Sequence, residues 1–311
     1  MAKGKHRLIT RDDFDGLGCA ALLREAGVVS EVVFVHPKDM QDGAILVSEN
    51  DIIANLPYNK NAHLVFDHHM SEAMRVRVKP ENYILDPRAL SAARVVYDYY
   101  GGRRCFPHKN FFDLMAAVDK GDSARFSSDE ILDPGPWELL HLILDPRTGL
   151  GRFRDFRLSK ADLIRLLADK CREMPVEAIL ELPDVRERLK IFREHHGKFR
   201  DQLIRCTSVY DNVGLVDLRE ETTIYAGSRF AIYAIFPEIN VSIHVSWGPQ
   251  EGTTAIAVGK SIINRTCRAS IGELMLHYGG GGHAGAGTCR VHNEEVERVL
   301  DEIIHKLTDF G

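Results

Sequence analysis

The sequence predicts an α/β protein of two domains: a parallel, doubly wound N-terminal sheet domain, a helical connector, and a smaller C-terminal α/β domain with a mixed sheet. Three observations carry this. Short β-branched runs alternate with helical patterns through the first third of the chain, as in a parallel sheet covered by helices on both faces. The apolar run Leu64-Val65-Phe66 ends abruptly in Asp67-His68-His69, as a buried strand does when it delivers polar groups at its carboxyl end. At 311 residues the chain exceeds the commonest single-domain size and fits two domains.

The elements follow in order. Leu8-Ile9-Thr10 reads as a short strand running into Arg11-Asp12-Asp13-Phe14-Asp15-Gly16. A helix follows over 17–25, apolar at Ala20, Ala21, Leu22 and Leu23 and closed by Gly27. Residues 31–35 and 51–54 are strands, the latter ending at Asn55-Leu56-Pro57-Tyr58; 63–66 is a fourth and 83–85 a fifth. Ser91 caps a helix to about residue 99, stopped by Gly101-Gly102, and 110–118 is another helix, ending at Asp119-Lys120-Gly121-Asp122. Residues 136–182 read as helical, with breaks near Gly149-Leu150-Gly151 and Pro175. A charged helix over 184–203 reads as a connector bridging through solvent. The predicted domains are therefore 1–183, a connector over 184–205, and 206–311. In the last, 210–218, 241–246 and 254–258 are strand-like, 230–236 is ambiguous between helix and strand, and 294–307 is a helix.

Composition narrows the function. The net charge of −5 argues against indiscriminate polyanion binding, so contact with a phosphate-rich substrate has to be local. No window approaches the roughly 20 apolar residues of a membrane span, and no export-signal run follows Met1. The six cysteines contain no C-x-x-C pair, which predicts reduced thiols and a cytoplasmic protein.

The chemistry gathers on a few residues. Asp13 and Asp15 alternate on one turn, so both carboxylates can face one side. With Asp119 and Asp67-His68-His69 they form hard oxygen and imidazole donors suited to Mn2+ or Mg2+. Asp122, three residues on, is the alternate to Asp119. Asp13 and Asp15 can equally serve as an N-cap and a dipole partner of the following helix, although Asp12 beside them adds repulsion that a cation would relieve. Near the C-terminus, Gly279-Gly280-Gly281-Gly282 before His283 lets backbone approach a ligand closely.

Asp13-Phe14-Asp15-Gly16, Asn55-Leu56-Pro57-Tyr58, Asp67-His68-His69, Asp119 and Gly280-Gly281-Gly282-His283-Ala284-Gly285-Ala286-Gly287, in this order, resemble the DHH phosphoesterase superfamily. The likeness is to the branch with a DHH-associated C-terminal domain, which includes nano-RNases. It covers nearly the whole chain. It implies hydrolysis of phosphoester or phosphoanhydride bonds at a two-metal centre, usually manganese, in the cleft between the domains. Carried over, Asp15, His68 and Asp119 match ligands of one metal and Asp13 a ligand of the other. Asp67 would orient a neighbouring histidine, and His69 would steady charge on the phosphoryl group. His283 and the amides of Gly280, Gly281 and Gly282 match the element that grips substrate phosphate. Arg265 is the expected arginine clamp, and the family pattern admits a homodimer.

Two positions depart from the pattern. Arg11 and Ile9 stand where the family places His or Asp, and Asn55 stands where an aspartate bridges both metals. One metal site is therefore expected to be strong and the other weak or replaced. Arg11 would do part of the lost cation's work, Asn55 would offer one oxygen, or Asp12 or Asp51 would substitute as ligand. The expected substrate is a short oligonucleotide, dinucleotide, nucleoside bisphosphate or short polyphosphate, since a long nucleic acid calls for an extended basic track. The alternative is a nucleotide-binding or signalling protein of weak catalysis with one metal site lost.

Overall fold

The computed structural model describes residues 5–76, 80–153 and 155–309; residues 2–4, part of the stretch read above for an export signal, lie outside it. The chain divides into two compact units: Met1–Arg125, Gly135–Pro146 and Gly151–Lys190 in one, and Phe126–Pro134, Arg147–Leu150 and Ile191–Gly311 in the other.

The first unit is built on β1 (His6–Thr10), β2 (Val29–Phe34), β3 (Asp51–Ala54), β4 (Leu64–Asp67) and β5 (Tyr83–Leu85). They form one sheet in the order β2-β1-β3-β4-β5, every neighbouring pair parallel. Every residue of β3 is buried, which explains why the central strands read as unbroken apolar runs rather than as alternating ones. Because all the strands run the same way, Thr10, Ala54 and Asp67 end on one side of the sheet. Arg11 to Asp13, Asn55 and His68-His69 issue from that edge.

The helices of this unit are α1 (Phe14–Glu25), α2 (Pro37–Gln41), α3 (Met70–Arg75), α4 (Ala92–Tyr99) and α5 (Lys109–Asp122). After α6 (Ser128–Leu132), which belongs to the second unit, come α7 (Pro136–Leu144), α8 (Lys160–Glu173) and α9 (Val176–Leu180). Helix α1 packs against α4, α5 and α8 through a fully apolar segment in which Leu17, Cys19, Ala20, Ala21, Leu22 and Leu23 are all 0% exposed. The predicted helical stretch 136–182 thus holds three α-helices, with a 3-10 turn at Leu150–Arg152 between the first two.

Helix α10 (Pro183–Cys206) is where the expected solvent bridge fails. Val185, Leu189, Phe192 and Leu203 are buried on it. Even Arg188 is buried, donating to the carbonyls of Asp184 (2.8 Å) and Leu158 (2.5 Å) and lying over the Phe156 ring. Its charged residues disguised a packed face, because long side chains bury their stems while satisfying their heads.

The second unit carries β6 (Thr207–Tyr210), β7 (Val213–Asp217), α11 (Ala231–Ile235), β8 (Val241–Trp247), β9 (Thr253–Lys260), α12 (Ile271–His277), β10 (Gly281–His283), β11 (Ala286–His292) and α13 (Val296–Thr308). The sheet order is β10-β11-β9-β8-β7-β6; β7 and β8 are parallel and the other pairs antiparallel. Ile243, Val245, Ile256 and Val258 meet Ile271 and Met275 of α12 and Val296, Val299, Leu300 and Ile303 of α13 in one core. The latter spacing is that of a helix burying one stripe. The single strand read over 210–218 is a hairpin, turned at Asp211 with φ +51°. The ambiguous 230–236 is the short helix α11. Strand β10 had no strand pattern to read, since glycines stand where β-branched residues would, and β11, which alternates with Gly287, Cys289 and Val291 buried, was missed from the sequence. Among the described residues, no helix is long and apolar enough to cross a membrane.

Candidate metal centre

The acidic turn after β1 sorts its three carboxylates by position. Asp13 is the N-cap of α1, its Oδ1 accepting from the Gly16 amide at 2.9 Å. Only glycine serves at position 16, where a Cβ would lie 2.0 Å from the Arg11 carbonyl oxygen. Asp15, 2% exposed, turns away from its own helix and reaches the N-terminus of α4. Its two oxygens accept from the amides of Ala92 (2.9 Å) and Ala93 (2.8 Å). The capping role allowed for this pair at the following helix therefore holds for Asp13 alone; Asp15 instead accepts from the first amides of α4, which orients it rigidly. Asp12 points outward and pairs with Lys160 at 3.3 Å. Asp51, at the opposite end of β3, is held by Arg7 at 2.7 Å. Neither can substitute as a ligand.

His68 follows β4. Its Nδ1 lies 3.2 Å from the Ala89 carbonyl oxygen, which places a proton on Nδ1 and makes Nε2 the nitrogen that can give up its proton to a cation. Nε2 is buried, 3.1 Å from Asp122 Oδ2 and 4.0 Å from Asp15 Oδ2, yet makes no hydrogen bond. Asp15, His68 and Asp122 each present a ligand atom within 4.8 Å of the others. A buried imidazole nitrogen aimed at two carboxylates, its other nitrogen tied to a carbonyl, is the donor arrangement a hard divalent cation takes.

Asp119 does not belong to this group. Its carboxylate accepts from Ser91 Oγ at 2.7 Å and Arg94 Nε at 2.9 Å, with Arg94 Nη2 completing the fork. The two acids at the end of α5 therefore divide the work: Asp119 ties α5 to α4, and Asp122, on the last residue, faces His68. The sequence had Asp122 only as an alternate, because the choice depends on Arg94.

Asp67 is fully buried and collects donors. Oδ1 accepts from the amides of His68 (2.8 Å) and His69 (3.3 Å) and from His69 Nδ1 (2.7 Å); Oδ2 accepts from Tyr83 Oη (3.1 Å). The histidine that Asp67 orients is thus His69, whose side chain is 39% exposed and keeps Nε2 for a ligand. Tyr83 was not singled out from the sequence, where it reads only as an aromatic β-former. Asn55, buried with φ +58°, donates from Nδ2 to Asp13 Oδ1 at 3.2 Å, and Arg11 Nε pairs with Asp13 Oδ2 at 3.1 Å.

Burial drives the electrostatics. It pushes Asp15 up to about 7, helped by the charge of Asp122. Asp122 moves the other way, because contact with His68 outweighs its burial. Burial opposes a charge on His68, but Asp122 and Asp15 outweigh it and raise the imidazole to about 9. The metal-free cluster therefore holds a proton at neutral pH that a cation must displace. Apparent affinity for a divalent cation is expected to rise with pH, by about tenfold per unit between pH 7 and 9 as His68 releases its proton and more steeply below pH 7, where Asp15 must release one too. Titration calorimetry in buffers of different ionisation enthalpy measures both; affinity flat between pH 6 and 8 contradicts the ligand set.

In the second unit, Gly280 to His283 form the start of a tight hairpin. A Cβ on Gly280 would lie 2.0 Å from the Thr288 carbonyl oxygen, and one on Gly282 (φ +157°) 2.3 Å from that of Ala286. Those two glycines are explained by packing. A Cβ on Gly281 meets nothing within 4 Å, so open space for a ligand remains at that position. His283 is exposed, and Arg265, also exposed, donates from Nε to the Ile262 carbonyl at 2.9 Å.

No family model and no curated protein matches the chain. Among solved structures it is similar to the pGpG-specific phosphodiesterase PggH from Vibrio cholerae, at 50% identity over 99% of this chain and 100% of that one, with a TM-score of 0.90. RecJ from Thermus thermophilus in complex with Mn2+ shares the fold, at 14% identity and a TM-score of 0.52, over 99% of this chain and 53% of that one. CDC45 from Entamoeba histolytica does so at 10% identity and a TM-score of 0.53, over 98% and 95%.

Proposed function

The chain belongs to the DHH phosphoesterases, and we propose that it is a divalent-cation-dependent phosphodiesterase, Mn2+ preferred, that hydrolyses a linear dinucleotide of the pGpG kind to mononucleotides. The observation that carries this reading is the convergence of Asp15, His68 and Asp122 around the buried His68 Nε2. Similarity to PggH over full length supports the substrate class. A net charge of −5 agrees with a substrate of few phosphates.

Bound at these three residues, a divalent cation supplies charge neutralisation to the phosphate and lowers the pKa of water. The protein's own groups do the rest. The helix α4 amides hold Asp15 in one rotamer, so the site does not reorganise during reaction. His69, steered by Asp67, presents Nε2 and, when protonated there, donates to the charge growing on the phosphoryl oxygens. Within the second unit, Gly281, His283 and Arg265 are in this reading candidates for holding a phosphate. A cytoplasmic location accompanies it, supported by six free cysteines.

The test is chromatography of pGpG incubated with the purified protein and Mn2+, Mg2+ or EDTA. One water per phosphodiester should give two GMP with either cation, faster with Mn2+, and nothing with EDTA. Tight pGpG binding without turnover in any condition would favour the nucleotide-binding alternative. A steep fall in binding with salt on longer single strands would favour an exonuclease.

A further inference from the structure

The surroundings of Asp13 do not suit a second cation. Both of its oxygens are committed, Oδ1 to the Gly16 amide at 2.9 Å and Asn55 Nδ2 at 3.2 Å, and Oδ2 to Arg11 Nε at 3.1 Å. A residue bridging two cations must offer an anionic oxygen to each, whereas Asn55 turns an N–H donor toward Asp13. Its own Oδ1 is buried without a partner. Asn55 is 1% exposed and held at φ +58°, so this orientation is part of the folded core rather than a surface rotamer. Against one carboxylate the chain has already placed one fixed positive charge and one donor. A divalent ion added there would face the Arg11 guanidinium across a carboxylate that this guanidinium already neutralises.

Arg11 is well placed for another task. Its side chain is 36% exposed, and among the described residues Asp13 is its one ion-pair partner, made through Nε. The two terminal amines are left for a ligand. Its charge also acts on Asp122, which puts it in the electrostatic reach of the cation ligands. A guanidinium keeps its charge at any working pH, and its planar fork matches two oxygens of a phosphate.

We infer that this centre works with one divalent cation, held by Asp15, His68 and Asp122, and that Arg11, aimed by Asp13, grips the substrate phosphate where a second cation would otherwise sit. The inference rests on the phosphodiesterase reading above. It separates two kinds of neutralisation: a removable one, at His68, and a permanent one, at Arg11.

The experiment is Mn2+ stoichiometry by elemental analysis and electron paramagnetic resonance on the purified full chain, beside pGpG kinetics. Wild type should hold one Mn2+ with an uncoupled spectrum. The double variant Arg11→His with Asn55→Asp should hold two, with the spectrum of a spin-coupled pair. Arg11→Ala should raise KM for pGpG by at least about tenfold, with one Mn2+ or more retained. If the double variant fails to fold by circular dichroism, Asn55→Asp alone should still add a weaker second Mn2+ in a titration. Two Mn2+ in wild type, a folded double variant that holds one, or an unchanged KM in Arg11→Ala overturns the inference while leaving a phosphodiesterase standing. No Mn2+ and no turnover in wild type would instead overturn the phosphodiesterase reading itself.

Discussion

Asp122→Asn is expected to lower pGpG hydrolysis by about three orders of magnitude, out of proportion to its effect on the thermal midpoint, whereas Asp119→Asn is expected to cost stability first. Asp122 ends α5, is partly exposed, and has His68 as its close partner at 3.1 Å. Replacing it removes a charge from the cation's ligands and, in the metal-free protein, the partner that keeps His68 protonated. Cation stabilisation of phosphoryl charge amounts to several kcal/mol, and about 4 kcal/mol corresponds to that thousandfold loss. Asp119 is 8% exposed and carries the forked pair with Arg94 and the bond from Ser91 Oγ. Both Arg94 bonds go to Oδ2 and the Ser91 bond to Oδ1, so an asparagine loses the charge and keeps an acceptor for only one of the two partners. The expected cost is about 2 kcal/mol, roughly 4–8 °C in Tm for a unit of this size. Rate and melting measurements on both variants give a crossed pattern. The reverse, a large rate loss at Asp119 with none at Asp122, would restore Asp119 as the ligand.

Asp67→Asn should reduce kcat by about a hundredfold while Mn2+ stoichiometry stays as in wild type. Asp67 touches no ligand-facing space; it accepts from two backbone amides, from His69 Nδ1 and from Tyr83 Oη, and it is 0% exposed. An asparagine has one acceptor oxygen where four donors converge, so its own N–H2 faces either the tyrosine hydroxyl or the imidazole N–H. Relief comes by rotating the ring or by giving up the Nδ1 proton, and either loses the oriented, doubly protonated imidazole whose Nε2 meets the phosphoryl charge. Outer contacts of this type are worth 10–100-fold. Tyr83→Phe, which removes one donor and keeps the ring packed 4.8 Å from Tyr58, should give a smaller fall. A kcat unchanged in Asp67→Asn, with the variant folded, removes His69 from the reaction.

Much of this was legible in the chain itself. The parallel sheet followed from short strands alternating with helices, and the delivery of Asp67, His68 and His69 at a strand's carboxyl end followed from where Leu64-Val65-Phe66 stops. Asp13 and Asp15 before Gly16 marked a tight acidic turn, and the glycine run before His283 marked close backbone. The departures at Arg11 and Asn55 were visible as residue types. Local pattern reports such features because strand period and helix capping are set by neighbours in sequence.

What only the tertiary structure decided are choices between chemically equivalent groups. Asp119 and Asp122 are both carboxylates at one helix end, and Arg94, on a different helix, neutralises the first and leaves the second for His68. Gly280, Gly281 and Gly282 are alike in sequence, yet the carbonyls of Thr288 and Ala286 on β11 account for the outer two and leave the middle one open. Asn55 became a donor to Asp13, and Tyr83 an anchor for Asp67, through contacts 42 and 16 residues apart. Which atom a side chain faces depends on charges and carbonyls brought up by other elements, and no periodicity along the chain records them.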